Sequence, residues 1–165
     1  MSLESGSSAR SLALATTQGS AIENFQSQEV SQFERSQFAG LDRQYTAHTE
    51  RRSEPSAVYN CHGLSFASRR TGIFDSSALY TILEEDRYVV IPRERVLPGD
   101  LILYFDDTGD IEHSGIVITT PTAEPLGIPR VMSKWGKYCE LIHWGNNCPY
   151  NFAYAKYYRI RNVEA

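Results

Sequence analysis

The chain has 165 residues, 41% of them hydrophobic and 22% charged, with a formal net charge of -4 at pH 7. That length suits one domain and not two, and an acidic balance without a basic cluster argues against nucleic-acid binding, which needs concentrated Lys and Arg to meet phosphates. No stretch approaches the roughly 18 consecutive apolar residues of a membrane-spanning helix.

The opening Met1-Ser2-Leu3-Glu4 lacks the basic start and long apolar stretch of a secretory signal. Three cysteines, at positions 61, 139 and 148, are an odd number, which does not make a disulfide framework. The expectation is a chain that is cytoplasmic as synthesised, or exported by a route that ignores such signals.

Composition changes near Ser56. All seven prolines, both tryptophans and all three cysteines lie from Pro55 onward, whereas the first 56 residues hold eleven serines. Residues 1–56 therefore read as a low-complexity leader, largely disordered because Ser, Ala and Thr bury too little apolar surface to offset ordering entropy. Within it Ile22, Phe25, Val30 and Phe33, with Phe38 further on, predict one weakly amphipathic helix over about 21–38, docking on the domain or on a protein partner.

Residues 57–165 read as one compact domain. Asn60 predicts the cap of a helix from Cys61 to Arg70, and Asp75-Ser76-Ser77 starts a second over Ala78 to Glu85, with Leu79, Ile82 and Leu83 on one face. After Asp86 the texture changes to strands: Tyr88 to Ile91, Leu101 to Phe105 behind the turn Pro98-Gly99-Asp100, Ile111 to Thr119 behind Thr108-Gly109-Asp110, then Arg130 to Trp135, Cys139 to Trp144 and Tyr154 to Ile160. Helices followed by an antiparallel meander predict an α+β fold with the helices over one face of the sheet.

Two residues carry the chemistry. Cys61 begins a helix, where unpaired backbone N–H groups and the positive end of the dipole favour thiolate over thiol. The backbone N–H groups of Cys61 and His62 are placed to meet a developing oxyanion, and Gly63 would let a substrate backbone approach. His113, at the start of an apolar strand and followed by Ser114-Gly115, is placed as a general base. A helix-initiating cysteine and a strand-initiating histidine in one small domain make the pair that nucleophilic catalysis requires.

Asn60-Cys61-His62-Gly63-Leu64, Leu97-Pro98-Gly99-Asp100-Leu101 and His113-Ser114-Gly115-Ile116-Val117, in that order and spacing, resemble the NlpC-like and CHAP-like papain-fold cysteine hydrolases over roughly residues 59–144. The resemblance implies a papain-like fold with the cysteine helix packed on an antiparallel sheet. It also implies a Cys61 nucleophile, a His113 base, a third polar residue orienting the histidine, and amide substrates such as peptidoglycan peptides. Asn60 and His62 depart from the Asp and Ser that often flank the family's cysteine; Asn can still cap, while a second imidazole beside the thiol can alter its acidity or the cleft.

The third residue has several candidates. The matching strand offers only Ser133 and Lys134, and a cation would oppose the imidazolium that forms in catalysis. His143, alternating with Leu141 one strand further, is the preferred orienter, with Glu140 and Asn146 in reserve. Tyr59, Lys134, Trp135 and Trp144 are candidate substrate contacts, with Tyr150 another aromatic beside the motifs. Cys139, His143 and Cys148 are closely spaced, but the paired Cys-x-x-Cys spacing of structural zinc is absent, so no metal and no cofactor is expected. The function expected is a thiol hydrolase of peptide or amide bonds, delivered as an effector or phage-type enzyme; the alternatives are an inactive papain-like module that binds a partner or ligand, or a cysteine protease of a cytosolic protein.

Overall fold

The computed structural model describes residues 10–27 and 29–161. Its centre is a seven-stranded antiparallel sheet. In chain order the elements are α1 (Gln32–Tyr45), β1 (Glu50–Arg51), α2 (Cys61–Ala67), α3 (Ser76–Glu85), β2 (Tyr88–Ile91), β3 (Leu101–Phe105), β4 (Ile111–Val117), β5 (Arg130–Lys134), β6 (Glu140–Trp144) and β7 (Lys156–Ile160). The strands lie in the order β1-β6-β5-β4-β3-β7-β2, so the meander from β3 to β6 is flanked by strands from distant parts of the chain. Among the described residues no helix is long and apolar enough to cross a membrane.

Strand alternation separates two cores. Leu103 faces Ile22, Ala67, Ile73, Leu79 and Ile82, on the side of α2 and α3. Its neighbours Ile102 and Tyr104 face the opposite side, with Val131, Trp135, Tyr138 and Leu141. That second face is covered by α1, whose Phe38, Leu41 and Tyr45 pack onto the aromatic cluster. The expectation of helices over one face thus holds for α2 and α3 alone.

The boundary expected at residue 56 is not where the core begins. Residues 10–26 turn back on themselves, with antiparallel bridges between Arg10 and Gln26 and between Ala15 and Ala21, and Phe25 exchanges both backbone hydrogen bonds with Gly72. Asn24, 1% exposed, holds this segment. Its side-chain oxygen accepts from the Leu12 amide and the Thr71 hydroxyl, and its amide donates to the Leu12 and Ile22 carbonyls. Few apolar residues are needed when one carboxamide satisfies four partners, which is why a Ser-rich composition mis-stated this region. Residues 1–9 of the expected leader lie outside the described residues.

The helix expected over about 21–38 is displaced to Gln32–Tyr45. Ser31 and Glu34 form a reciprocal capping box that fixes its start, so Ile22 and Phe25 belong to extended chain. Lys137 pairs with Glu34 at 3.0 Å, and β1 pairs with β6, tying residues 29–51 to the sheet. The Pro98-Gly99-Asp100 turn has a structural cause as well. Gly99 takes a positive φ of 93°, and the buried Asp100 carboxylate accepts the Leu97 amide and both arms of the Arg159 guanidinium at 2.6 and 2.7 Å, locking β7 against the start of β3.

Candidate active site

Asn60 sets the start of α2. Its side-chain oxygen accepts from the Gly63 amide at 2.9 Å and the Ile73 amide at 3.1 Å, while its side-chain nitrogen donates to the Ile73 carbonyl at 2.7 Å. Three groups are satisfied by one buried side chain, two of them outside the helix. Asn60→Ala is therefore expected to cost more than an ordinary cap, about 2–3 kcal/mol, because it leaves buried Ile73 backbone groups unpaired. A denaturant midpoint within error of wild type would contradict this.

Cys61 is the first residue of the helix and is buried. Its own amide, that of His62 and that of Ser114 on β4 approach the sulphur and favour its charged form, yet burial outweighs them and pushes the thiol up to about 11. At rest the sulphur is protonated. The ring of His62 does not act on the thiol: its Nδ1 meets Ser114 Oγ at 2.8 Å, and that hydroxyl meets Ser65 Oγ at 2.9 Å, a buried chain that fastens α2 to β4. Burial pushes His62 down to about 4.

Gly63 has a different use from the one expected. A Cβ at this position would lie 1.8 Å from the Thr71 carbonyl oxygen, so the close approach it permits is that of the protein's own backbone, not of a substrate. Gly115 answers a similar need on β4, where a Cβ would come within 2.6 Å of Val131 Cγ1.

His113 pairs in register with Tyr104, and Ser114 with Leu103, so the His113 ring lies on the sheet face opposite α2. It is fully buried, and among the described residues neither ring nitrogen has a hydrogen-bond partner, the Cys61 thiol included. Burial, with His143 and His62 nearby, holds it neutral, well below the ordinary histidine range. Its surroundings are aromatic. Tyr150 stacks on it with ring centroids 3.7 Å apart and planes 8° from parallel, and Tyr104 packs at 5.2 Å, tilted by 59°.

The third residue expected is not found where it was sought. His143 is fully buried, with Nδ1 at 2.7 Å from the Trp144 carbonyl and Nε2 at 2.6 Å from Ser133 Oγ. A carbonyl can only accept, so Nδ1 carries the proton and Nε2 accepts from Ser133, whose oxygen in turn accepts from Trp135 Nε1 at 3.0 Å. Both His143 nitrogens are thus committed, and neither is left for His113. Of the reserves, Glu140 pairs with Arg69 at 2.7 Å, and Asn146 lines a separate cavity with Trp144.

The expected substrate contacts are also redistributed. Lys134 is fully buried; its ammonium donates to the Ser56 and Gly136 carbonyls at 2.6 Å each and lies 4.9 Å from the centre of the Tyr59 ring. Burial pushes it down to about 8. It clamps the segment before Asn60 to the turn after β5, and has no free face for a substrate anion. Trp135 is core, packed against Tyr45, Tyr138 and His143. Trp144 borders a second, largely apolar cavity of about 310 Å³ with Pro125, Leu126 and Ile128, and Arg130 lies over its ring.

Cys61 does open on a cleft of about 370 Å³, which it shares with Asn60, His62, Phe74, Asp110 and Tyr150. Ser76 and Glu112 also line it, and Asp110 is held by the Ser76 and Tyr80 hydroxyls. Phe74, Ser76 and Asp110 were not singled out from sequence. Their only signal was position, at the start of α3 and just before β4, the two segments that flank the helix N-terminus. The other two cysteines do not join this cleft. Cys139 is core, and Cys148 places its thiol 3.6 Å from the Gly145 carbonyl and 3.8 Å from the Tyr150 carbonyl. Among the described residues no three His, Cys, Asp or Glu side chains gather as metal ligands.

No protein-family model, no curated protein and no solved structure matches the chain.

Proposed function

We propose that this protein is a thiol hydrolase of peptide or amide bonds, with Cys61 as nucleophile and His113 as base, on a papain-like scaffold. The observation that supports it best is the state of His113. A buried imidazole with two unpartnered nitrogens is costly, and this one directly precedes Ser114, whose amide faces the Cys61 sulphur. In this reading the His113 ring, which makes no hydrogen bond to the thiol at rest, takes the thiol proton once an entering carbonyl draws the head of α2 and the start of β4 together, and the sulphur bonds to the carbonyl carbon. The amides of Cys61, His62 and Ser114 receive the negative charge of the oxygen. His113 returns the proton to the amine as the C–N bond breaks; water, deprotonated by His113, then bonds to the acyl carbon, the C–S bond breaks, and the proton passes from His113 back to the sulphur as the acid leaves. The stem peptides of peptidoglycan are the favoured substrate on motif resemblance, reached by an effector or phage-type route.

A second reading is a papain-like module that binds a ligand without turnover, favoured by a buried thiol held at about 11. One set of measurements separates the two. Cys61→Ala and His113→Ala should each abolish release of amine from peptidoglycan fragments or a peptide library while both proteins stay folded by circular dichroism. Activity equal to wild type in both variants refutes the hydrolase. If wild-type turnover is absent and iodoacetamide modifies Cys61 at pH 7 no faster than a free thiol, whose pKa is about 8.5, the binding module stands.

A further inference from the structure

The hydrolase reading leaves His113 without a polar residue to orient it, and the geometry points to what replaces that residue: we infer that an aromatic clamp, Tyr150 stacked on one face and Tyr104 packed against the ring, fixes the His113 imidazole in place of a hydrogen-bonding orienter. Tyr150 is then a positioning residue of this site, and the inference rests on the hydrolase reading only for its effect on turnover.

Four observations converge. The near-parallel contact at 3.7 Å and 8° is the tightest aromatic pairing among the described residues, while Tyr104 closes on the ring at 5.2 Å and lies 6.4 Å from Tyr150. Among the described residues no hydrogen bond reaches either ring nitrogen, so packing sets the plane. The segment carrying Tyr150 is itself pinned at both ends: the buried Tyr104 hydroxyl donates to the Gly145 carbonyl at 2.7 Å, and the Cys148 thiol bridges Gly145 and Tyr150. Tyr150 also lines the Cys61 cleft, so the residue that stacks on the imidazole borders the cleft as well.

Stacking restrains a ring differently from a hydrogen bond. A polar orienter selects the plane and also the tautomer, as the Trp144 carbonyl does for His143. A stacked phenol restrains the plane and leaves both nitrogens free to give or take a proton. His113 can therefore exchange its proton at either nitrogen without breaking a bond to the protein. A face of π-electrons at stacking distance also attracts the imidazolium that forms when the base accepts a proton.

The test uses the full-length protein and two variants, Tyr150→Phe and Tyr150→Leu. Long-range proton–nitrogen spectra of the histidine rings should show His143 as a single Nδ1–H tautomer and His113 as a mixture, with the His113 carbon-bound protons displaced upfield by the Tyr150 ring. Tyr150→Phe should preserve the His113 signals and keep turnover within about twofold of wild type. Tyr150→Leu should remove the upfield displacement and lower kcat at least tenfold with KM changed less than threefold. The clamp is overturned if wild-type His113 shows one tautomer and no ring-current shift, a result that holds even if Tyr150→Leu fails to fold. It is equally overturned if Tyr150→Leu leaves the His113 signals in place, or if Tyr150→Phe loses as much turnover as Tyr150→Leu. Should wild type show no turnover, the hydrolase reading fails while the spectra still decide the clamp.

Discussion

Lowering the pH from 7 to 4 should unfold this protein cooperatively, with a midpoint near pH 5. Burial holds His62 and His143 down to about 4, and His113 further below the ordinary range. In the unfolded chain these imidazoles protonate near pH 6.5. Between about 6.5 and 4 the unfolded state therefore binds more protons than the native one, so the stability present above pH 6.5 is lost as pH falls through that window. A gap of this size is worth about 3 kcal/mol for each of His62 and His143. Together they approach the whole stability of a typical domain, about 5–15 kcal/mol, before His113 is counted. The raised thiols of Cys61 and Cys148, both about 11, act only in the alkaline range. Circular dichroism followed against pH gives the check: a native signal still intact at pH 3.5 would contradict the assignment. His62→Gln should flatten the acid slope by about one proton.

Gly63→Ala should be the most damaging conservative change in the candidate site. The added methyl would sit 1.8 Å from the Thr71 carbonyl oxygen and 3.0 Å from its carbon. The obstacle is backbone, so it cannot swing aside as a side chain would. Thr71 is itself fixed, fully buried and bonded through its hydroxyl to Asn24. Relief requires α2 to lift from residues 71–73, which breaks the Asn60 bonds to Ile73 and moves the Cys61 N-terminus. Helix propensity alone would favour Ala by about 1 kcal/mol; overpacking against backbone should reverse this to a loss of at least about 3 kcal/mol. A denaturant titration in which Gly63→Ala matches or exceeds wild type would show that α2 can shift freely.

Much of the sheet was legible because its signals are local. Tyr88 to Ile91 and Leu101 to Phe105 are short apolar or β-branched runs bounded by turn chemistry, and both strands lie at those residues. The caps at Asn60 and Asp75 were legible for the same reason, and so was Cys61 at the head of its helix. What was not legible depends on partners far away in the chain. Nothing near Asn24 says that it meets Leu12 and Thr71. Nothing near Lys134 says that its ammonium is enclosed by Ser56, Gly136 and Tyr59, since a lysine at the end of a strand beside the motifs reads as a substrate contact. His143 shows the limit most clearly. Its alternation with Leu141 made it the preferred orienter of His113, but its neighbours Ser133 and the Trp144 carbonyl absorb both nitrogens, and hydrogen-bond allegiance is not written in periodicity.

The position of β7 carries a consequence for how quickly the molecule assembles. Among the described residues β2 has β7 as its only neighbour in the sheet, and Tyr88 pairs with Ile160. β3 meets β7 on its other edge. The hairpins from β3 to β6 can form early from nearby segments, whereas β2 must wait, unpaired, until a strand from the far end of the sequence has docked beside β3. Closing so long a loop before any reward places this step among the slow, non-local ones. Refolding experiments should therefore show the Tyr88–Ile91 amides gaining protection from hydrogen exchange last, after those of Leu101–Phe105.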